Sequence, residues 1–152
     1  MHAYRLVKAR YADAPLDPAG ARRYGGRWNS RGVDALYAAD SIALAALELL
    51  VHLHDSEVLG HFVLCELTLD EDDIQRLDPA DLPADWRRNP PAAATRRIGD
   101  QWLASGQALA LRVPSTLIPQ QDNLLINPAH PRFPDLARSV RVTPFRFDPR
   151  LA

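Results

Sequence analysis

The sequence predicts an α+β fold, a single domain over residues 1–152 with short, mostly antiparallel strands set around one buried helix. Three observations carry this expectation. Strand-like runs outnumber helical ones and do not alternate with them regularly, which argues against a doubly wound α/β sheet. The run Ile42–Val51 is apolar nearly all round a helical wheel, the pattern of a helix enclosed by neighbours. No stretch is long enough to link two separate domains, and no segment repeats.

The elements follow from local pattern. Ala3–Val7 reads as a strand with Arg5 pointing opposite to Tyr4 and Leu6. Asp13, Pro15, Asp17, Pro18 and Gly20 then interrupt regular structure, and Ala21–Gly32 is polar, glycine-punctuated and rich in arginine. Val33–Ala39 is a strand, and Asp40 and Ser41 cap a helix running from Ile42 to about His54. His61–Leu69 is the next strand, closed by the acidic turn Glu71–Asp73, and Gln75–Pro91 is irregular. Thr95 caps a helix holding Ile98, Trp102 and Leu103, which Gly106 ends in a left-handed conformation. Ala108–Val113 and Asn123–Ile126 are strands, with the proline-rich turn NPAHPRFPD after the second. Ser139–Phe147 is the last strand, and Pro144 assigns its second half to a sheet edge or a bulge.

Composition narrows the function classes. The apolar fraction of 47% and charged fraction of 24% are those of a soluble globule. A net charge of −1 carries no electrostatic footprint for nucleic acid or an anionic membrane. Cys65 is the sole cysteine, so no intrachain disulfide forms. The opening MHAYRLVKARYADAP lacks the apolar core of a signal peptide, and the Ile42–Val51 run is too short to span a bilayer. A cytoplasmic location is expected. No Cys/His spacing of zinc type occurs, so no metal is expected. Lys8 is the single lysine and every other cation, histidine taken as neutral, is arginine, the residue that holds carboxylates and phosphates bidentately.

The chemistry-bearing residues concentrate between Gly25 and His54. In GGRWNSRG the glycines admit close backbone approach and Arg27 offers a forked donor, a combination suited to phosphate. Taken alone, the motif fits a hairpin turn with solvated arginines equally well. Glu48 sits among leucines, where an unpaired charge costs several kcal/mol. It is therefore neutral, ion-paired with Arg5 or Arg27, or turned to a wet cleft. On the wheel, Ser41, Ala45, Glu48 and His52 share one stripe, so Tyr37 at the strand end, Ser41 and Glu48 can face a common pocket. In the second half, Ser115 follows Pro114 at a strand end, and Asn127 and His130 lie in NPAH, which also fits an Asx turn. No nucleophile elbow surrounds Ser115.

Together, YRLV, GARRYGGRWNSRGVDALYAADSIALAALELLVHL and VPS…NLLINPAH resemble the RES-domain family, the toxin half of bacterial Xre–RES toxin–antitoxin modules. The resemblance extends over nearly the whole chain and leaves Asp70–Pro91 unmatched. By motif position the family's Arg, Glu and Ser fall on Arg27, Glu48 and Ser115, and its tyrosine on Tyr37. The resemblance implies an ADP-ribosyltransferase-like fold and NAD⁺ as substrate, cleaved at the nicotinamide–ribose bond with water or phosphate as acceptor. It also implies a partner antitoxin of Xre-type helix-turn-helix class. In that setting Glu48 stabilises the ribosyl cation, Arg27 clamps the pyrophosphate or a ribose hydroxyl, Tyr37 stacks on nicotinamide, and Ser115 bonds near the nicotinamide or ribose. Arg5, Ser41 and Asn127 are added as ligand-binding candidates. Two alternatives stay open: a mono-ADP-ribosyltransferase with a protein target, and a non-catalytic binding module in which Arg27–Glu48 is a structural ion pair.

Overall fold

The computed structural model describes residues 1–152. The chain runs β1 (His2–Lys8), α1 (Ala19–Tyr24), β2 (Leu36–Ala39), α2 (Ile42–Leu50), α3 (Asp55–Val58), β3 (Phe62–Thr68), β4 (Ile74–Arg76), α4 (Ala93–Ser105), β5 (Ala110–Pro114), β6 (Asp122–Ile126), α5 (Phe133–Ser139) and β7 (Arg141–Phe145). The strands form one seven-stranded sheet in the order β4-β5-β6-β2-β1-β3-β7. Every pairing is antiparallel except β4 with β5. This is an α+β architecture, as the mix of strand and helix patterns predicts.

Two-residue alternation assigns the core to both faces of the sheet. Leu36, Ala38, Leu124 and Ile126 point to one side and pack with Leu67, Leu109 and Leu136 of α5. Their neighbours Leu125, Leu111 and Val113 point to the other and meet Trp28 with Trp102 and Leu103 of α4. Each such fully buried side chain contributes about 1.5–3 kcal/mol relative to exposure. Further along, Leu6, Phe62 and Phe147 pack with Ala46, Leu49 and Leu50 of α2, and Phe62 and Phe147 meet edge to face at 5.2 Å between ring centroids.

The helix α2 is not enclosed. Leu44 and Ala45 are buried against Ala39 and Tyr4, while Ile42, Leu47 and Val51 remain 40%, 41% and 57% exposed. A helix that is apolar on all sides is suited to burial, but α2 has the sheet on one side and nothing packed on the other. It also ends at Leu50, not His54, and His54 instead caps α3 through a box with Glu57. Ala92, not Thr95, precedes α4. Thr95 lies inside that helix and turns its hydroxyl back to the Ala92 carbonyl at 3.1 Å. Gly106 does adopt the left-handed φ of 63° that ends α4. β7 lies at the sheet edge, where its Pro144 is tolerated. The turn after Asn127 gives way to a helix at Phe133, with Pro134 in its first turn. No helix is long and apolar enough to cross a membrane.

Candidate active site

β1 and β2 meet at a single residue pair, Tyr4 with Ala39, whereas β2 and β6 pair over four residues. A cleft of about 990 Å³ is lined from both sides of that weak seam. Tyr4 and Arg5 reach it from β1, Tyr37 from β2 and Glu48 from α2. Gly26 and Arg27 line it from the glycine turn, and Arg87, Asn89, Arg96, Thr116 and Asn123 from the second half. Arg27, Tyr37 and Glu48, read from the sequence as one group, do share this cleft.

Glu48 is held by the second half of the chain. Its Oε1 accepts from the Ser115 hydroxyl and from Asn123 Nδ2, each at 2.7 Å. Oε2 receives no hydrogen bond from the chain, which leaves one carboxylate oxygen for the cleft. Ser115 is 0% exposed, and its oxygen also accepts from the Leu117 and Ile118 amides, both at 3.1 Å. A hydroxyl has one donor and two acceptor sites. Ser115 uses all three within the protein and has none left for a ligand. Asn123 gives its donor to Glu48 and leaves its buried Oδ1 unpartnered. Such a group costs about 1–3 kcal/mol, so the carboxylate is oriented at the expense of stability.

Arg27 makes no ion pair with Glu48, so the purely structural Arg27–Glu48 bridge is absent. Its Nη1 donates to the Trp86 and Arg88 carbonyls at 2.9 and 2.7 Å, which leaves Nε and Nη2 free of protein acceptors. Burial pulls the guanidinium below its ordinary pKa, and the charge of Glu48 opposes the shift. The turn carrying Arg27 is fixed around Asn29, which is 0% exposed. Asn29 donates to the carbonyls of Ala21, Ser30 and Val33 and accepts from the Tyr37 hydroxyl at 2.6 Å. That hydroxyl in turn accepts from the Trp28 amide at 3.1 Å. Burial raises the Tyr37 phenol well above its ordinary pKa. Gly26 is required here because a Cβ would sit 2.7 Å from the Tyr37 hydroxyl. Gly99 of α4 is required for the same turn, since a Cβ there would lie 1.7 Å from the Trp28 carbonyl oxygen.

The remaining candidates separate. Arg5 lines the cleft, but its Nε and Nη1 are occupied by the Pro15 and Tyr37 carbonyls at 3.1 Å. Its guanidinium, depressed by burial, ties β1 to β2 beyond their one paired residue. Ser41 and Asn127 lie outside the cleft lining, contrary to the expectation of ligand contact. Ser41 Oγ accepts from the Leu44 amide and caps α2. Asn127 donates to the Leu103 carbonyl and accepts from the Ala129 amide, the Asx turn that NPAH also allows. His52 is exposed at the cleft rim. Sequence reasoning missed Asn29, Asn123, Arg87 and Arg96. A polar residue opening an otherwise apolar strand, DNLLI, was the one available signal for Asn123. No three His, Cys, Asp or Glu side chains are grouped to hold a metal.

Comparison with known proteins identifies the family. The RES domain family model matches residues 2–148. The chain is 46% identical over 151 residues to a protein named Toxin Res from Yersinia enterocolitica serotype O:8 / biotype 1B, covering 99% of each. It is 39% identical over 145 residues to the Prs ADP-ribosylating toxin of Sphingobium sp. (strain YBL2), covering 93% of this chain and 89% of that protein. Its fold matches a chain in the crystal structure of the M. tuberculosis MbcT–MbcA toxin–antitoxin complex. The TM-score is 0.74 at 20% identity, over 99% of this chain and 85% of that one. On the extent of these matches, the chain belongs to the RES domain family.

Proposed function

We propose that this chain is the toxin of a toxin–antitoxin pair and that its cleft breaks the nicotinamide–ribose bond of NAD⁺. The observation that carries the reading is Glu48, with one oxygen anchored by Ser115 and Asn123 and the other turned to a cleft without an ion-pair partner. When the ribose C1′–N bond breaks, its electron pair passes to the pyridinium nitrogen and nicotinamide leaves neutral. Positive charge develops on the ribosyl carbon and ring oxygen, and a fixed carboxylate stabilises it most in the transition state. A ribose hydroxyl donating to Oε2 adds orientation, as carboxylates do in glycoside cleavage. Water or phosphate then bonds to C1′ and releases its proton to solvent.

The other groups take supporting roles. Arg27 presents Nε and Nη2 to a phosphate oxygen or ribose hydroxyl. Tyr37, its hydroxyl fixed by Asn29, offers its ring face to the nicotinamide. Ser115 acts by positioning Glu48, not by touching substrate. A second reading, transfer of ADP-ribose to a protein, is favoured by the name of the Sphingobium relative. It uses the same cleft and differs in the acceptor. An antitoxin is the proposed partner, supported by the complex in which the structural neighbour was solved, and its Xre-type helix-turn-helix class rests on the sequence resemblance alone.

Purified protein incubated with NAD⁺ and no other protein tests the first reading by chromatographic detection of nicotinamide. Release without a target protein is expected, and Glu48→Gln should cut it by about 100-fold or more while melting as a folded protein. Nicotinamide appearing only when a target protein is added would shift the assignment to transfer. A Glu48→Gln variant with full turnover would remove the carboxylate from the mechanism.

A further inference from the structure

The second half of the cleft carries guanidinium groups that cleavage of the glycosidic bond does not use. Arg87 lies between Trp86 and Arg88, the two residues whose carbonyls hold Arg27. Its Nη2 donates to the Thr116 carbonyl at 2.8 Å, one residue beyond Ser115, and its guanidinium lies 5.9 Å from the Trp86 ring centroid. Arg96, in α4, directs Nε to the Gly26 carbonyl at 3.4 Å, next to Arg27 in the chain. Arg27, Arg87 and Arg96 all line the cleft, and none of them forms a salt bridge; the chain's ion pairs engage other cations. Against these three and Arg5, the acidic side chains in the lining are Asp17 and Glu48.

Three unpaired guanidiniums gathered in one cleft repel one another, an arrangement that favours an anion with several acceptor oxygens. Each keeps N–H groups that no protein acceptor takes: Nε and Nη2 of Arg27, Nε and Nη1 of Arg87, Nη1 and Nη2 of Arg96. We infer that Arg87 and Arg96, beside Arg27, form a pyrophosphate subsite that makes the cleft prefer a dinucleotide over a phosphate-free nicotinamide riboside. The substrate named here rests on the NAD⁺ reading above, whereas the anion subsite stands on the guanidinium cluster itself.

The test uses Arg87→Ala and Arg96→Ala, with Arg87→Lys and Arg96→Lys as charge-retaining controls, each first shown to be folded by thermal melting. Steady-state nicotinamide release is measured from NAD⁺ and from nicotinamide riboside, and inorganic pyrophosphate is titrated by calorimetry. Each alanine variant should raise KM for NAD⁺ about 10- to 100-fold with kcat within a few fold. Loss of kcat/KM on nicotinamide riboside should be at least about ten-fold smaller, and the lysine variants should recover part of the NAD⁺ affinity. Pyrophosphate should bind the alanine variants about ten-fold or more weakly than the unaltered protein. Unchanged KM for NAD⁺ in both alanine variants, equal losses on the two substrates, or undiminished pyrophosphate binding would each overturn the subsite. An unaltered protein that releases no nicotinamide yet binds pyrophosphate through Arg87 and Arg96 would retire the NAD⁺ reading and retain the anion subsite.

Discussion

Ser115 and Asn123 both hold Oε1 of Glu48, but they differ in what else they hold. Ser115 also takes two backbone amides, so Ser115→Ala strands buried donors as well as freeing Glu48. A loss of about 1–3 kcal/mol in stability is expected, together with a fall in kcat of about 10- to 100-fold. Asn123→Ala removes an unpartnered buried oxygen along with the bond to Glu48. Its kcat should fall by a similar factor while denaturant melts shift by less than about 1 kcal/mol. Tyr37 adds a pH signature. Burial raises its folded pKa, so the folded protein keeps the phenolic proton where the unfolded chain releases it, from about pH 10. Its contribution to stability is whole below that pH and is lost as pH rises toward the folded value. Tyr37→Phe, which also forgoes the bonds to Asn29 and Trp28, should melt lower at neutral pH. The gap to the unaltered protein should close in melts taken above about pH 10.

At the level of elements, the glycine turn depends on α4. Gly99 admits the Trp28 carbonyl, and Asp100 accepts from the Ser30 amide and hydroxyl at 2.8 and 2.5 Å. Gly99→Ala gains about 1 kcal/mol of helix propensity, but the added carbon meets backbone at 1.7 Å. The clash should win, with a net loss of about 1–3 kcal/mol in thermal or denaturant melts and a larger loss of turnover as Arg27 shifts. Strands were largely legible because alternation is local: β1, β3, β5, β6 and β7 lie where the pattern puts them. α1, α3 and α5 were not, being short and written in residues that also serve turns. β4 is three residues long and owes its existence to pairing with β5, which no local pattern carries. The burial of α2 was misread for a related reason. Periodicity says which faces of a helix are apolar, and the neighbours decide which of them are covered.

Across the whole molecule, the cleft joins the two halves of the sequence. Arg27, Tyr37 and Glu48 fall within 22 residues and were readable as one cluster. Their partners Asn123, Arg87 and Arg96 lie 60 to 96 positions beyond Arg27, and pairing of β2 with β6 brings Asn123 beside Ala39. No local pattern carries that adjacency. In native-state hydrogen exchange, amides of β6 and β2 at the centre of the sheet should exchange most slowly, and those of the edge strands β4 and β7 earlier. Equal protection across the sheet would show that edge position does not set the order of opening.

The pairing of β2 has a consequence for the order in which the polypeptide is made. β2 pairs with β1 at one residue and chiefly with β6, whose residues are translated more than eighty positions later. A nascent chain bearing Arg27, Tyr37 and Glu48 has neither the strand that seats Tyr37 nor the serine and asparagine that aim the carboxylate. The cleft comes into being late in synthesis, so a ribosome making this chain carries an unassembled site for most of the message. Products truncated before β6 lack both Ser115's neighbour Asn123 and the strand that seats Tyr37, so the cleft is incomplete in them.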